Sequence, residues 1–171
     1  MIQWHYDPMT SPWLWQLALL KDREDMVKLT QQQFEYEIDG IYQPDPLYYA
    51  YQLDRAIVEQ THEPGSELIA LARSRDTGKL MAYHWAYRNT TPLFSREQTA
   101  EARIIHIDQL LPARQRVKIT YQAIDQWLRW AKICGVAVFV SSTIRTDQDS
   151  FLRIHEHMGF TRRGSIAYIR L

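Results

Sequence analysis

One stretch in the second half of the chain constrains the fold most, because it joins a strand, a long helix and a second strand without interruption. An Ile-rich segment predicts a strand over Ala102–Leu110, and Pro112 ends it. Apolar residues at helical spacing predict an amphipathic helix over Val117–Ile133, with Gly135 where a glycine commonly ends a helix. Val136–Val140 is a continuous apolar run, typical of a central strand covered on both faces. This order predicts a parallel strand pair joined by a right-handed crossover.

The segments on either side add further helices and strands. In chain order they are a helix over Asp22–Ile38, a helix that starts at Asp45-Pro46 and ends at His62–Gly65, a hairpin of strands Glu67–Arg73 and Lys79–Arg88, then, after the central stretch, a helix over Asp147–Met158 and a strand over Ser165–Leu171. The expected fold is a single α/β domain over residues 1–171, with a mixed central sheet and helices on both faces.

Charge and cysteine content exclude several functional classes. The 20 Lys and Arg balance the 20 Asp and Glu, and a net charge of zero argues against a protein that mainly neutralises nucleic-acid phosphates. A single cysteine, Cys134, excludes an internal disulfide and fits a reducing compartment. No apolar stretch is long enough to cross a bilayer, and the first residues lack a signal-peptide pattern. We therefore expect a cytoplasmic domain with no membrane partner.

The order of elements, together with Gly135-Val136-Ala137-Val138-Phe139-Val140 and the later His157-Met158-Gly159-Phe160, resembles the GCN5-related N-acetyltransferase (GNAT) superfamily. The resemblance covers nearly the whole chain in element order and is most specific from Ala102 to Phe160. It implies an acyl-CoA-dependent N-acyltransferase that uses acetyl-CoA as cosubstrate and an amine as acceptor. It also implies that residues 66–171 form the sheet and the acyl-CoA core, while residues 1–65 form a helical region on the acceptor or partner side.

The resemblance implies a cosubstrate-binding segment at the start of the long helix. In the family, a Gln/Arg-x-x-Gly-x-Gly/Ala loop holds the pyrophosphate through backbone N–H groups, and the matching positions here are Gln115, Arg116, Val117, Lys118, Ile119 and Thr120. Gln115 fits the pattern, whereas Lys118 and Thr120 replace the glycine-type residues that allow close approach of a phosphate. Arg114, Arg116 and Lys118 place cations at a helix N-terminus, where a bound polyanion would stabilise them. The alternative is a solvated basic loop.

The resemblance also implies catalytic positions. The family has an Asn near the start of the last helix and a Tyr four residues before Gly-Phe that often protonates the departing thiolate; here these positions hold Gln148 and His155. His155 is the candidate general acid, since histidine titrates near neutral pH; the alternative is a helix histidine without a catalytic role. Candidates for a general base on or near the third strand are Glu101, His106 and Asp108. A sheet face wetted by a cleft would explain them equally well.

A second hypothesis is a GNAT-fold binding or structural module without catalytic activity. It is favoured because other residues stand here at the family's glycine, tyrosine and asparagine positions. Such divergent domains look similar to some small tailed-bacteriophage proteins, including virion-associated ones. Ten of the 21 aromatic residues lie in the first 51 positions, and Trp and Tyr are enriched at interfaces. The aromatic N-terminal region could therefore bind a protein partner or a second copy of the chain. No metal-ligand spacing occurs among the six histidines, so no metal site is predicted.

Overall fold

The structure of the protein is a computed structural model that describes residues 7–37, 42–88, 91–143 and 148–164. Its elements are β1 (Trp13–Leu17), a 3-10 turn (Leu20–Asp22), α1 (Arg23–Glu37), α2 (Pro46–His62), β2 (Glu67–Ser74), β3 (Leu80–Arg88), β4 (Thr99–Ile107), α3 (Ala113–Ile133), β5 (Val138–Ser141) and α4 (Gln148–His157). The predicted final strand, Ser165–Leu171, lies outside the described residues, as does Asp147. None of the described helices is long and apolar enough to cross a membrane.

The five strands form one sheet in the order β1-β2-β3-β4-β5. Neighbours are antiparallel from β1 to β4, whereas β4 and β5 are parallel. The parallel pair is joined through α3, as the sequence predicts. At the end of α3, Gly135 has a positive φ of 69°, and the N–H groups of Gly135 and Val136 bond to the carbonyls of Lys132 and Ala131. The predicted glycine at the helix end is therefore confirmed.

Helices cover both faces of the sheet. On one face, Ile119, Ile124 and Trp127 of α3 form a core with Ala82 and Ala86 of β3. On the opposite face, α1 and α2 form a second core, in which Met26, Leu53 and Ile57 join Tyr83 and Trp85 of the same strand. The alternation of β3 side chains therefore supplies both cores. A single α/β domain with a mixed sheet and helices on both faces is confirmed.

Strand β1 was not predicted. Only Trp13 is buried in this strand, and its indole Nε1 donates to Oε1 of Gln122 in α3 at 2.9 Å. Leu14 and Leu17 are exposed, because β1 lies at the edge of the sheet. With apolar residues on both its faces, the segment lacks the alternation from which a half-buried strand is recognised.

Strand β5 is more exposed than predicted. We expect Val136–Val140 to be covered on both faces, but the strand runs over Val138–Ser141, and Val138 and Val140 are each 43% exposed. Phe139 points to the other face and stacks on Trp127 of α3, with ring centroids 5.8 Å apart. Helices α1 and α2 pack against β2, β3 and β4. They therefore cover the strands before β5 more than β5 itself.

Candidate functional site

Strands β4 and β5 separate halfway along β4. Their pairing runs from Thr99–Val138 to Ala102–Ser141, and β5 ends there while β4 continues to Ile107. Arg103 stands directly beyond the last pair. It is also the extra residue of a β-bulge. Trp85 of β3 pairs with Ile104 and Ala86 pairs with Ala102, so Arg103 between them has no partner in β3. Over the rest of β4, the edge that faces away from β3 has no strand partner among the described residues, so backbone groups there can bind a ligand.

His155 of α4 lies at the end of β5. Its Nε2 is 2.9 Å from the hydroxyl oxygen of Ser141, and its Nδ1 is 2.9 Å from the carbonyl oxygen of Phe151. A carbonyl oxygen only accepts, so Nδ1 carries the ring hydrogen of the neutral imidazole and Nε2 accepts from Ser141. The residue is 3% exposed, and burial lowers the pKa of His155 below its usual value. The imidazole is therefore neutral at pH 7, with Nε2 as its proton-accepting atom.

Helix α3 begins at Ala113, four residues before the predicted start. All six predicted cosubstrate-binding positions, 115–120, therefore lie in a helix and not in a loop. The N–H groups of Gln115 and Arg116 bond to the carbonyl of Pro112 at 2.8 and 3.1 Å, and the N–H groups that follow are used in the helix itself. The physical reason is that Lys118 and Thr120 sustain a helix where glycine would interrupt it.

The start of α3 keeps an uncompensated positive end. Pro112 precedes the helix without a side-chain cap, and the first turn holds no acidic residue. By contrast, Asp45 caps α2 by accepting from the N–H groups of Leu47 and Tyr48, each at 3.0 Å. The N–H groups of Ala113 and Arg114 are therefore left to solvent or to an anion. Arg114 adds an exposed cation in the same turn.

The side chains of the predicted cosubstrate segment point in several directions. Arg116 donates through Nη1 to Oε1 of Gln109, and Nζ of Lys118 lies 5.4 Å from the centroid of a Trp13 ring. Ile119 is buried in the core, and Thr120 is buried with its hydroxyl donating to the carbonyl of Arg116 at 2.9 Å. Gln115 is half-buried and Val117 is exposed. Ile119 and Thr120 consequently present no side chain at the helix start.

The three candidate bases lie apart along β4. Glu101 accepts through Oε2 from the hydroxyl of Tyr87 at 2.9 Å. His106 is buried, with its ring centroid 5.4 Å from that of Tyr83. Asp108 follows the end of the strand, is buried, and binds Nζ of Lys79 at 2.6 Å. Glu101 and His106 are five residues apart, about 16 Å along a strand, so the fold does not bring the three together. Glu101 lies nearest to the separation of β4 and β5.

A group of residues that the sequence did not single out surrounds the bulge. We call Glu67, Trp85, Tyr87 and Glu101 the β3 aromatic cluster, because two aromatic side chains of β3 are each bonded to a carboxylate. The guanidinium of Arg103 lies over both rings. The alternation of β3 predicts its aromatic face, but no local signal identifies Glu67 or Arg103 as neighbours of that face. Among the described residues, no three His, Cys, Asp or Glu side chains are grouped to hold a metal ion.

Comparisons with known proteins identify the fold. No family model matches the chain, and a search of curated proteins finds no match. Among solved structures, glucosamine-6-phosphate N-acetyltransferase from Arabidopsis thaliana is similar, with a TM-score of 0.69, 12% identity and coverage of 94% of this chain and 99% of that one. An aminoglycoside 6'-N-acetyltransferase from Acinetobacter baumannii has a TM-score of 0.68, 17% identity and coverage of 93% and 97%. AAC(6')-Iy, solved with the bisubstrate analogue CoA-S-monomethyl-acetylneamine, has a TM-score of 0.67, 16% identity and coverage of 94% and 99%. The chain therefore has the fold of these N-acetyltransferases, as the resemblance implies.

Proposed function

We propose that the protein is an acyl-CoA-dependent N-acyltransferase that transfers an acetyl group from acetyl-CoA to an amine. The observation that carries this proposal is the separation of β4 and β5 at Ala102 and Ser141. The separation leaves, near His155, a strand edge with no partner in the part of the chain that the structure describes, and the uncapped start of α3 follows β4 in the chain. Similar structures include one with a CoA-containing bisubstrate analogue. The fold supports the proposal, and the residues at the start of α3, in β4 and around His155 carry its specific form.

The start of α3 can bind an anion, although it lacks the glycine loop of the GNAT superfamily that the sequence resembles. Its first N–H groups have no side-chain cap, no acidic side chain lies in the first turn, and Arg114 is exposed beside them. We assign the diphosphate of acetyl-CoA to this helix start, with Arg114, Arg116 and Lys118 as the cations around it. Positions 117, 119 and 120 contribute by extending the helix, and Gln115 by its half-buried amide. Side-chain cations thus replace the backbone donors that a glycine loop would offer.

The chain's own groups then position the reaction and move a proton. Acetyl-CoA supplies an activated acetyl group as a thioester. Backbone groups of β4 beyond Ala102 orient the bound acetyl-CoA. Glu101, the candidate base nearest to the strand separation, accepts a proton from the amine. Neutral His155 accepts from Ser141 at Nε2, so it must first take up a proton there from solvent before it can pass one to the departing sulfur. Glu101 returns the proton of the amine to solvent afterwards. Positioning supplies a large part of such catalysis, with proton transfer adding about 100-fold or more.

The alternative is a module of the same fold that binds a partner without catalysis. The early start of α3 favours it, because the N–H groups of residues 117–120 are used within the helix. Exposed apolar residues of α2 also favour it: Leu47, Tyr48 and Tyr51 are 85%, 61% and 62% exposed. Tyr51 and Leu47 line a groove of about 560 Å³ between α1 and α2.

A titration with acetyl-CoA separates the two functions. Isothermal calorimetry should detect binding of both acetyl-CoA and CoA, and a thiol-release assay with a panel of amines should then detect transfer. The matched control is 3'-dephospho-CoA with its diphosphate intact, which should retain most of the affinity, against pantetheine, which lacks the diphosphate. No heat of binding at millimolar acetyl-CoA would refute the transferase and leave the binding module.

A further inference from the structure

Arg103 places its guanidinium over two aromatic rings of the neighbouring strand. The guanidinium carbon is 3.7 Å from the centroid of the Tyr87 ring and 5.0 Å from that of Trp85. The faces of Tyr and Trp rings attract cations because their π-electrons carry partial negative charge. Arg103 itself is an exposed residue. The two rings therefore hold a cation at a position that solvent molecules can reach.

Each of the two rings is also bonded to a carboxylate. Nε1 of Trp85 donates to Oε2 of Glu67 at 2.5 Å, and the hydroxyl of Tyr87 donates to Oε2 of Glu101 at 2.9 Å. Glu67 is 4% exposed, and burial raises its pKa. Two ring faces thus contact one cationic group, and each ring is itself bonded to a carboxylate. This combination differs from a set of acidic residues alone, because a cation is already bound on the rings.

We call the position over the Trp85 and Tyr87 rings, where the Arg103 guanidinium lies, the cation seat. Its place in the fold relates it to the proposed reaction. Arg103 is the first residue of β4 beyond the last pair with β5, Ala102–Ser141. It is the bulge residue, so no partner in β3 fixes its backbone. Trp85 belongs to the core formed with α1 and α2, so the cation seat lies on the α1/α2 face of the sheet. An acceptor that approaches from this face would meet the cation seat beside the point where the strands separate.

We propose that the rings of Trp85 and Tyr87 bind a cationic group of the acceptor, and that Arg103 occupies this cation seat until the acceptor displaces it. The location of the acceptor rests on the proposed transferase function, whereas the binding of a cation does not. The seated group differs from the reacting amine. A site that stabilises a positive charge raises the pKa of an amine and keeps it protonated, and a protonated amine is no nucleophile. The acceptor class is therefore a small molecule with two cationic groups, a diamine or a guanidino-amine.

Arg103→Ala tests the seat without any cosubstrate. Agmatine, which carries a guanidinium and an amine, serves as the probe, and butylamine as the single-amine comparison. We expect agmatine to bind Arg103→Ala at least tenfold more tightly than the unaltered protein, by calorimetry and by quenching of tryptophan fluorescence. Arg103→Lys, which keeps a cation at the position, should not show the gain. Arg96→Ala, which removes an exposed arginine from the loop before β4, is the control for a general change in charge.

A second substitution tests whether the rings hold the probe. Tyr87 is only partly buried, so Tyr87→Leu in the Arg103→Ala background should fold, which a thermal melt checks, and should abolish the gain in affinity. Equal affinity for agmatine with and without Arg103, or a gain that survives Tyr87→Leu, would overturn the cation seat. Acetyl-CoA titrations of the same variants separate the two proposals. Agmatine binding without acetyl-CoA binding refutes the transferase and keeps the seat, and the reverse result refutes the seat alone.

Discussion

His155 and Ser141 join α4 to the end of β5 through a single hydrogen bond of 2.9 Å between Nε2 and the serine hydroxyl. The bond fixes the direction of the imidazole, because Nδ1 is held by the carbonyl of Phe151 on the other side. A histidine held at both nitrogens keeps one tautomer and one orientation. This arrangement suits a group that moves a proton at Nε2.

The first prediction concerns His155. His155→Gln removes the titrating nitrogen, and we expect kcat to fall about 100-fold or more, the usual contribution of acid–base catalysis. The dissociation constant of acetyl-CoA, measured by calorimetry, should change less than twofold. His157→Gln is the matched control, because His157 is exposed in the same helix and should leave kcat within twofold. An unchanged kcat in His155→Gln would remove His155 from the mechanism.

The second prediction concerns the charge at the start of α3. Lys118→Glu should weaken acetyl-CoA binding at least tenfold, equivalent to about 1.4 kcal/mol, since it places an anion near the diphosphate. Lys132→Glu makes the same change at the far end of the helix, where the residue is exposed, and should leave the affinity unchanged. Because Nζ of Lys118 also lies near the Trp13 ring, a thermal melt must first show that the variant is folded. Equal affinities for the two variants would contradict the assigned diphosphate position.

The third prediction concerns Gln122, whose Oε1 accepts from the indole N–H groups of both Trp13 and Trp15, each at 2.9 Å. Gln122→Leu removes this acceptor inside the protein. An unsatisfied buried donor costs about 1–3 kcal/mol, so we expect the free energy of unfolding in urea to fall by about 2–4 kcal/mol. Gln32→Leu on the exposed side of α1 is the control and should change it by less than about 0.5 kcal/mol. If Gln122→Leu also lowered the free energy of unfolding by less than about 0.5 kcal/mol, β1 would not depend on this contact.

The fourth prediction concerns the pH dependence of stability. Burial lowers the pKa of His84 to about 4, while Nδ1 accepts from Nε1 of Trp127 at 2.9 Å. An unfolded chain has a histidine pKa of about 6.5, so it binds more protons than the folded state between these values. The contribution of neutral His84 to the free energy of unfolding is therefore fully present above about pH 6.5 and is lost as the pH decreases towards 4. The difference of about 2.5 pH units corresponds to about 3 kcal/mol.

Urea unfolding at pH 7.0, 5.5 and 4.0 checks this dependence. His84→Asn removes the titration but keeps an acceptor for Trp127, so its stability should fall less steeply with decreasing pH. His62→Asn, at the exposed end of α2, should follow the unaltered protein. If all three proteins share one slope, His84 is not the group responsible.

The sequence predicts the strand–helix–strand stretch because the pattern there is local. Helical spacing defines α3, Gly135 ends it, and the parallel pairing of β4 with β5 follows from the connection. The exact start of α3 could not be predicted from the family's glycine pattern, because Lys118 and Thr120 allow the helix to extend back to Ala113. Strand β1 was missed because its stability comes from pairing with β2 and from one distant bond to Gln122.

The places of the candidate site residues in the fold follow from local patterns only in part, and their roles stay predictions. His155 is a candidate because the resemblance places it at the family's Tyr position, four residues before Gly159-Phe160, and its place beside Ser141 could not be read from that position. Glu67, Trp85 and Arg103 come together through the register of three strands and through one extra residue in β4. No local pattern reports a register, so the β3 aromatic cluster is visible only in the folded chain.

The extra residue at Arg103 also decides which side chains of β4 share a face. Glu101 is opposite Tyr87, whereas Ile104 and His106 are opposite Trp85 and Tyr83. An odd-numbered residue and two even-numbered ones thus lie on the same side of the sheet, which the two-residue period of an unbroken strand forbids. Deletion of Arg103 would restore the regular period and leave Glu101 and His106 four residues apart, still on the same side. The bulge at Arg103 is therefore what lets two residues with an odd spacing in the chain, Glu101 and His106, lie on one side of the sheet.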